Sequence, residues 1–399
     1  MAASAGCDLN LRGDPRLPRM HLTFHLTRAC NLRCDYCYAP PQDGAPMSLA
    51  TGRQALELGS RLNSGSCGIV FFGGEPLLCK GLIRELVACG REMERHRAGR
   101  FHFKVTTNGT LLDEEFLEFA MREDVFIALS FDGTQAAHDA HRRTAGGGGT
   151  FETLLPRLRL LLAARPYSSV MMVVNPDTAV HLTESAEFLL EEGARYLILS
   201  LNHAGPWTED TLEVLRAEYE KLAQRYVEWT RAGRKFYLSP FEVKLSSHIN
   251  RHCYHKDRCE LGQRQLSVDP DGWLYPCVQF VKGGPASRWC IGHLETGVDE
   301  ATRQRIRAES EQEKPECRNC ALRLRCNNSC GCLNWQTTGS VNAISPTVCR
   351  HEQMLMPIAD RLGRELYRRR DPHFLHKHYN AAYPVLSMIE DALSSRGKP

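Results

Sequence analysis

The stretch that decides how this chain folds is Cys30-Asn-Leu-Arg-Cys34-Asp-Tyr-Cys37, in which three cysteines fall within eight residues. A 4Fe–4S cluster has four irons, and each normally takes one cysteine thiolate. Three thiolates would leave one iron open to a small molecule, much as a catalytic zinc site keeps one position open. A structural zinc site is the alternative, but it usually needs a fourth Cys or His nearby, and none follows before Cys67. The spacing alone fits either a metal site or a coincidence.

The segments around these cysteines predict strands that alternate with helices. The preceding stretch, Met20-His-Leu-Thr-Phe-His-Leu-Thr, alternates apolar and polar residues as a strand does. A helix with Ser48 as its cap follows the cysteines. A second apolar strand then ends in Phe71-Phe72-Gly73-Gly74-Glu75-Pro76. Cysteines in a loop after a barrel strand lie at the C-terminal face, where such folds carry their chemistry.

Both motifs resemble the radical SAM superfamily, in the cluster loop Cys-x3-Cys-x-Tyr-Cys and in the strand end Gly-Gly-Glu-Pro. The resemblance implies that Cys30, Cys34 and Cys37 hold a 4Fe–4S cluster. It further implies that the open iron binds the amino and carboxylate groups of S-adenosylmethionine (SAM), and that the reduced cluster cleaves SAM to a 5′-deoxyadenosyl radical.

The resemblance also implies a set of SAM contacts at the ends of the strands. Gly73, Gly74 and Glu75 would approach the methionine amino group, and glycines there allow a close approach of the backbone. Ser130 and Arg142 would contact the methionine moiety, where an arginine can clamp a carboxylate with two hydrogen bonds. Tyr36 would pack against adenine. The remaining expected cofactor-binding residues, at strand ends facing the same rim, are Asn108 and Asn175. A loop cap or a surface ion pair is the alternative for Ser130, Arg142 and both asparagines.

Four further apolar runs alternate with helical patterns, which makes six strands in all. They begin near Phe101, Val125, Ser169 and Tyr196. Strands that alternate with helices predict a parallel sheet, and the resemblance implies an incomplete (β/α)6 barrel of the α/β class. An amphipathic helix at 209–232 carries an aromatic stripe that we interpret as core packing. We expect an N-terminal extension at 1–19, the barrel at 20–235, a cysteine-rich domain at 236–355 and a helical tail at 356–399.

The region after residue 236 is rich in cysteine, since ten of the 17 cysteines lie between 253 and 349. One metal site cannot use cysteines spread so widely, but eight of them make two closed four-thiolate sites. A zinc ribbon is the alternative for residues 317–330. The spacing resembles the SPASM extension of radical SAM enzymes, a hairpin of the form Gly-x4-Cys followed by Cys-x2-Cys-x5-Cys-x3-Cys and a last Cys.

That resemblance implies two auxiliary 4Fe–4S clusters. The first would take Cys253, Cys259, Cys277 and Cys330. The second would take Cys317, Cys320, Cys326 and Cys349. Cys332 is close enough in sequence to compete with Cys330, and the sequence leaves open which of the two closes the first auxiliary cluster.

Composition bounds the remaining possibilities. No apolar run approaches the roughly 20 residues that a membrane span needs, and the N-terminus lacks the features of a signal peptide, so we expect a cytoplasmic protein without a membrane partner. Cysteine-rich cytosolic proteins favour metal binding over disulfides. The formal charge of +3 counts cysteines as neutral; three bound clusters would bring it to about −2, which gives no case for a nucleic-acid partner.

The leading functional hypothesis is a radical SAM/SPASM enzyme that abstracts hydrogen from a residue of a ribosomally made peptide or protein and installs a crosslink or thioether. Its expected partners are that substrate and an electron donor such as flavodoxin or ferredoxin. A formylglycine-forming sulfatase maturase is an alternative, but such enzymes carry an Asp after the hairpin cysteine, where this chain has Val278. A small-molecule dehydrogenase and a zinc-stabilised interaction module complete the alternatives. No catalytic base is assigned, although His203, His248, His252 and His255 are available.

Overall fold

The computed structural model describes residues 20–39, 44–62, 65–96, 99–249, 261–282 and 284–396. The predicted N-terminal extension, and the expected ligands Cys253 and Cys259, lie outside these residues. So do His252 and His255.

One mixed sheet of nine strands organises the described part of the chain. The strands are β1 Met20–His25, β2 Ser66–Phe72, β3 Arg100–Thr107, β4 Phe126–Ser130, β5 Ser169–Val174, β6 Tyr196–Leu201, β7 Tyr237–Leu238, β8 Gln265–Val268 and β9 Leu274–Tyr275. Their order is β7-β6-β5-β4-β3-β2-β1-β8-β9. Strands β1 to β7 pair in parallel, and β8 pairs in parallel with β1. The edge strands β7 and β9 do not pair with each other within the described residues, so the predicted partial barrel is confirmed.

Parallel neighbours need long crossover connections, which are usually helical. The helices are α1 Leu49–Leu62, α2 Lys80–His96, α3 Glu114–Arg122, α4 Gln135–His141, α5 Phe151–Ala164, α6 Leu182–Glu191, α7 Glu209–Arg231, α8 Ser239–Ile249, α9 Glu300–Glu311, α10 Gly331–Thr338, α11 Pro346–Arg368, α12 Pro372–Tyr379 and α13 Tyr383–Arg396. The predicted cap is present at α1, where Ser48 Oγ accepts from Thr51 N at 3.0 Å. Asp113 caps α3 in the same way, accepting from Phe116 N at 2.9 Å.

The sheet continues past the boundary that we expect at residue 235. Strand β7 follows that boundary directly, and β8 adds to the outer edge of β1 with His21 opposite Gln265. Strand β9 then forms the predicted hairpin on β8, with Ser267 opposite Tyr275. The hairpin turn is closed by Asp269, whose Oδ1 accepts from Trp273 N at 2.9 Å. The domain boundaries themselves stay predictions.

Helix α7 packs its aromatic stripe into the core, as predicted: Tyr219, Leu222 and Tyr226 are buried. Helix α11 lies against α7, and α8 contacts α7 where the Phe241 and Tyr226 rings meet edge-on at 5.7 Å. Ion pairs between Arg361 and Glu220 and between Arg350 and Glu209 tie α11 to α7. A two-stranded ribbon, β10 Gly292–His293 and β11 Gly297–Val298, lies in the cysteine-rich part. Across the described ranges, no helix is long and apolar enough to cross a bilayer.

Candidate active site

The cysteine loop lies directly beyond the carboxyl end of β1, at the rim where parallel barrels carry chemistry. Leu32 forms an isolated antiparallel β-bridge with Thr144, and Arg33 N donates to Arg143 O at 2.8 Å. These contacts attach the cysteine loop to the segment that follows α4. Cys30 Sγ accepts from Leu32 N at 3.4 Å. Burial raises the pKa of Cys30, and it raises the pKa of Cys34 to about 11. Iron would therefore have to displace protons from these thiols on binding.

The two glycines after β2 are required by a close approach of two backbones. Gly74 N donates to Thr27 O at 2.8 Å, beside the first residues of the cysteine loop. Gly73 has φ +135°, and a Cβ on it would lie 2.4 Å from Thr27 O. A Cβ on Gly74 would lie 2.0 Å from Ala29 O. Neither position tolerates a side chain, so the strand end runs against the root of the cysteine loop because both residues are glycine.

Glu75 is buried, and its carboxylate joins the ends of two strands. Oε1 accepts from Thr107 Oγ1 at 2.6 Å and from Leu77 N at 2.9 Å, while Oε2 accepts from Asn108 N at 2.7 Å. Burial raises the pKa of this carboxyl group, and these hydrogen bonds oppose the rise. Because both oxygens are used by the protein, Glu75 fixes the geometry of the rim around the diglycine.

Arg142 is buried and forms an ion pair with Asp132, a residue that sequence reasoning did not select. Arg142 Nε donates to Asp132 Oδ2 at 2.9 Å, and the two side chains are 6% and 2% exposed. Tyr36 Oη donates to the same oxygen at 2.7 Å, and the Arg142 guanidinium lies 5.6 Å from the Tyr36 ring centroid. The pair is therefore not a surface ion pair. The sequence feature that could have pointed to Asp132 is its position two residues after Ser130, which ends β4.

The other three expected SAM contacts occupy different environments. Asn108 caps a turn, since its Oδ1 accepts from Thr110 N at 2.9 Å, and its Nδ2 lies 3.8 Å from Cys30 Sγ. Ser130 lines the cavity described below. Asn175 is buried away from that wall, and its Oδ1 accepts from Asn202 Nδ2 at 2.8 Å. The structure thus brings seven of the eight expected cofactor residues to one cavity and leaves Asn175 beside it.

A cavity of about 1080 Å³ joins the barrel rim to the cysteine-rich part of the chain. On the barrel side its wall is formed by Cys30, Cys34, Tyr36, Cys37, Gly73, Gly74, Glu75, Asn108, Ser130 and Arg142. On the other side its wall includes Gln279, Phe280, Trp289, Trp335, His351 and Glu352. The Phe280 and Trp289 rings stack with centroids 4.3 Å apart, and Trp335 meets Trp289 edge-on at 4.9 Å. One side of the cavity is therefore rich in thiols and polar groups, and the other is partly aromatic.

Three cysteines expected near the first auxiliary site lie together. Cys330 Sγ and Cys332 Sγ are 3.3 Å apart. A hydrogen bond from Cys332 lowers the pKa of Cys330 to about 7, whereas hydrogen bonding to Cys277 is the largest cause of a pKa of Cys332 well above its usual value. These thiols are the donor type that a 4Fe–4S cluster uses; the predicted ligand set also needs Cys253 and Cys259, which lie outside the described residues.

The cysteines of the second expected site also interact. Burial raises the pKa of Cys349, and the thiols of Cys320 and Cys317 add to that rise. Burial likewise raises the pKa of Cys326 to about 12, with a further contribution from Cys317. Cys349 lies in the first turn of α11, where the helix dipole favours a thiolate. Thiols are the donor type that a 4Fe–4S cluster uses, but the described residues hold no group of three or more His, Cys, Asp or Glu side chains close enough to bind a metal ion, so a cluster at these four cysteines stays a prediction.

A polar group in the far wall of the cavity was not predicted from the sequence. Lys244 Nζ lies 2.6 Å and 2.8 Å from the two carboxylate oxygens of Glu352, and both side chains are buried. His351 Nε2 lies 2.9 Å from Tyr219 Oη, and the His203 ring meets His351 edge-on at 5.7 Å. His203 was among the available bases. Lys244 and Glu352 are 108 residues apart, so no local pattern could have paired them.

Sequence comparison finds a matching family and related proteins. The family described as the Radical SAM superfamily matches residues 24–189. The serine-type anaerobic sulfatase-maturating enzyme of Klebsiella aerogenes is 25% identical over 353 residues, which cover 83% of this chain and 84% of that protein. The sporulation killing factor maturation protein SkfB of Bacillus subtilis is 26% identical over 267 residues, or 66% of this chain and 61% of that protein.

Two solved structures share the fold. Native anSMEcpe with bound AdoMet superposes with a TM-score of 0.74 at 18% identity, covering 87% of this chain and 99% of that one. Streptococcus suis SuiB bound to S-adenosylmethionine gives a TM-score of 0.58 at 16% identity, covering 84% and 77%. The family match shows that the chain carries a radical SAM domain at residues 24–189 and is an enzyme, and the two solved structures share its fold.

Proposed function

We propose that this enzyme modifies a residue of a ribosomally made peptide or protein by hydrogen abstraction and installs a crosslink or a thioether. The observation that carries the proposal is the single cavity that the cysteine loop shares with the aromatic wall of the cysteine-rich part. A radical formed at the rim would meet a substrate that lies against Phe280, Trp289 and Trp335. The cavity has a volume of about 1080 Å³, and its wall includes residues from both the barrel and the cysteine-rich part.

In this proposal the barrel rim binds the cofactors. Cys30, Cys34 and Cys37 would hold the 4Fe–4S cluster, which with SAM supplies the 5′-deoxyadenosyl radical. The backbone at Gly73 and Gly74 would lie along the methionine moiety. Arg142 uses Nε for Asp132, which fixes the guanidinium plane and allows its terminal nitrogens to meet the methionine carboxylate. Ser130 would contact the same moiety, and Tyr36 the adenine.

We further propose two auxiliary 4Fe–4S clusters in the cysteine-rich part, with the two ligand sets given above. The contact between Cys330 and Cys332 supports the first site, and the mutual effects of Cys317, Cys320 and Cys349 support the second. Clusters there could accept an electron as the modified residue is oxidised, since protein surroundings tune their potentials widely. Flavodoxin or ferredoxin in the cytoplasm would supply the reducing electron.

Formylglycine formation is the second candidate, because relatives of this chain are named sulfatase-maturating enzymes. Against it, Val278 follows the hairpin cysteine Cys277, and valine cannot accept a proton. In addition, Val278 only packs beside the core rather than forming part of the cavity wall. A formylglycine route would therefore need a base elsewhere.

The test uses anaerobically reconstituted protein with SAM, dithionite and candidate substrates, namely any short Cys- or aromatic-rich peptides that neighbouring genes encode. We expect 5′-deoxyadenosine and a peptide that has lost two hydrogen atoms without gaining an aldehyde. A hydrazide probe distinguishes the candidates, because only formylglycine reacts with it. A hydrazide-reactive product would replace the crosslink proposal by the second candidate, and absence of 5′-deoxyadenosine would contradict both.

A further inference from the structure

Three side chains in the cavity wall each carry a buried polar atom that has no hydrogen-bond partner. The atoms are Tyr38 Oη, His203 Nδ1 and Gln279 Oε1. In the described part of the chain eight side-chain atoms are in this state, and these three lie in the wall of one cavity. Buried polar groups are nearly always paired, so each exception calls for an explanation such as a bound molecule.

The three residues come from separate segments and converge on the cavity. Tyr38 directly follows Cys37, His203 lies just beyond the carboxyl end of β6, and Gln279 lies two residues beyond Cys277. None of them belongs to the expected SAM contacts. A wall assembled from both halves of the chain is where a second molecule would meet the radical formed at the rim.

The three groups suit a neutral partner that both donates and accepts hydrogen bonds. A phenol can do either, a glutamine offers an amide oxygen and an amide nitrogen, and an imidazole nitrogen does one or the other according to its tautomer. Burial lowers the pKa of His203 to about 4, so its ring is neutral near pH 7. The nearby Lys244 and Glu352 satisfy each other. The three groups therefore offer hydrogen bonds without carrying a charge of their own.

A peptide main chain is the ligand class with that character, since each residue other than proline presents one N–H and one C=O. The aromatic surfaces of Phe280, Trp289 and Trp335 in the same wall could meanwhile receive apolar side chains of the peptide. We propose that Tyr38, His203 and Gln279 form a subsite that binds the main chain of the peptide substrate beside the SAM rim. This inference rests on the proposed function, which makes the substrate a peptide.

Two matched pairs of variants test the subsite. Tyr38→Phe and His203→Phe remove unpartnered atoms in the cavity wall. Tyr275→Phe and His25→Phe remove equally buried and unpartnered atoms that lie outside it. All four changes delete a polar atom that has no partner in the free protein, so none should lower the unfolding temperature markedly. Gln279→Leu completes the set in the wall.

The probe is a pooled library of acetylated nonapeptide amides, offered anaerobically to iron- and SAM-loaded protein and recovered by affinity-selection mass spectrometry. We expect the wild type to retain a subset of peptides, and the cavity variants to retain them about three- to tenfold less, as loss of one hydrogen bond allows. The Tyr275 and His25 variants should match the wild type. Equal retention by cavity and control variants, or no retention by the wild type, would overturn the subsite.

Measuring 5′-deoxyadenosine formation in the same proteins without peptide distinguishes failure of the subsite from failure of the proposed function. Normal SAM cleavage with unchanged peptide retention in the cavity variants would reject the subsite and leave the proposed function standing. A wild type that forms no 5′-deoxyadenosine would reject the proposed function itself. Loss of iron in the Tyr38 variant would also count against the subsite, because it would assign that phenol to the cluster loop.

Discussion

The barrel and the cysteine-rich part are stabilised in different ways. Strands β1 to β6 have five to eight residues each and bury continuous apolar rows, such as Leu22, Phe24, Ile69 and Phe71. Between residues 261 and 349 the strands have two to four residues, and two short helices, α9 and α10, alternate with turns and irregular segments. Strands this short bury less apolar surface than β1 to β6, although residues such as Leu266, Phe280 and Trp289 join the same core. We infer that the cysteine-rich part needs a further source of stability.

We propose that metal–thiolate bonds supply this additional stability to the cysteine-rich part. Bound metal contributes directly to the folding free energy of small domains that bind it. The cavity has the barrel rim on one side and residues of the cysteine-rich part on the other. We therefore expect iron removal to unfold mainly residues 261–349, and the loss of a buried ion pair to destabilise the helices or strands that the pair joins.

The largest expected effect is that of iron removal. Chelation after oxidation should expose the amides of residues 261–349, while the amides of β1 to β6 stay protected, because only the former depend on metal for folding. Hydrogen–deuterium exchange with mass spectrometry measures both in one sample. Protection of residues 261–349 that persists after complete iron loss would show that the cysteine-rich part folds without metal.

The buried pair Lys244–Glu352 joins α8 to α11 at the cavity wall. Lys244→Met should lower the free energy of unfolding by about 3–5 kcal/mol, since it leaves a buried carboxylate unpaired. The double variant Lys244→Met with Glu352→Leu should recover much of that loss. Urea denaturation gives both values. The exposed pair Arg159–Glu192 is the control, and Arg159→Met should change the free energy of unfolding little. If Arg159→Met lowered it as much as Lys244→Met, burial would not explain the effect.

Replacing Arg142 tests the barrel side. Arg142→Ala should raise the KM for SAM about 10- to 100-fold, as expected for loss of a charge-assisted hydrogen bond worth roughly 1.5–3 kcal/mol. Because Arg142→Ala also leaves Asp132 without its ion-pair partner, Arg142→Lys is the second variant. It keeps the positive charge but cannot bind a carboxylate with two parallel hydrogen bonds. Arg165→Lys, whose guanidinium binds the carbonyls of Val125 and Ala120, is the control. An unchanged KM in both Arg142 variants would return Arg142 to a purely structural role.

The smallest effect should come from Cys332. Cys332→Ala should keep the full iron content if Cys330 closes the first auxiliary cluster. Because the two sulfurs are 3.3 Å apart, Cys332 could replace a missing Cys330, so the double variant is the informative one. It should lose about four irons per chain. Iron loss in Cys332→Ala alone would shift the ligand assignment by two residues.

The sequence predicted the elements that carry long, regular patterns. The six barrel strands, their helices and the diglycine strand end follow from local periodicity and motif. The pairing of β8 with β1 was not predicted, because the two strands are short and about 240 residues apart and share no local signal. The same holds for Lys244 and Glu352, and for Asp132, whose role depends on contacts to Tyr36 and Arg142 across the rim. Long-range contacts of this kind are fixed by the tertiary fold.

The most direct test of the account compares wild type with the triple variant Cys30→Ala, Cys34→Ala and Cys37→Ala. We expect about twelve irons per chain in the wild type and about eight in the variant, since a three-thiolate site loses one four-iron cluster. The variant should form no 5′-deoxyadenosine from SAM under dithionite, although hydrogen exchange of residues 261–349 stays as in the wild type. A triple variant that still forms 5′-deoxyadenosine would contradict the assignment of the radical-generating site to this loop.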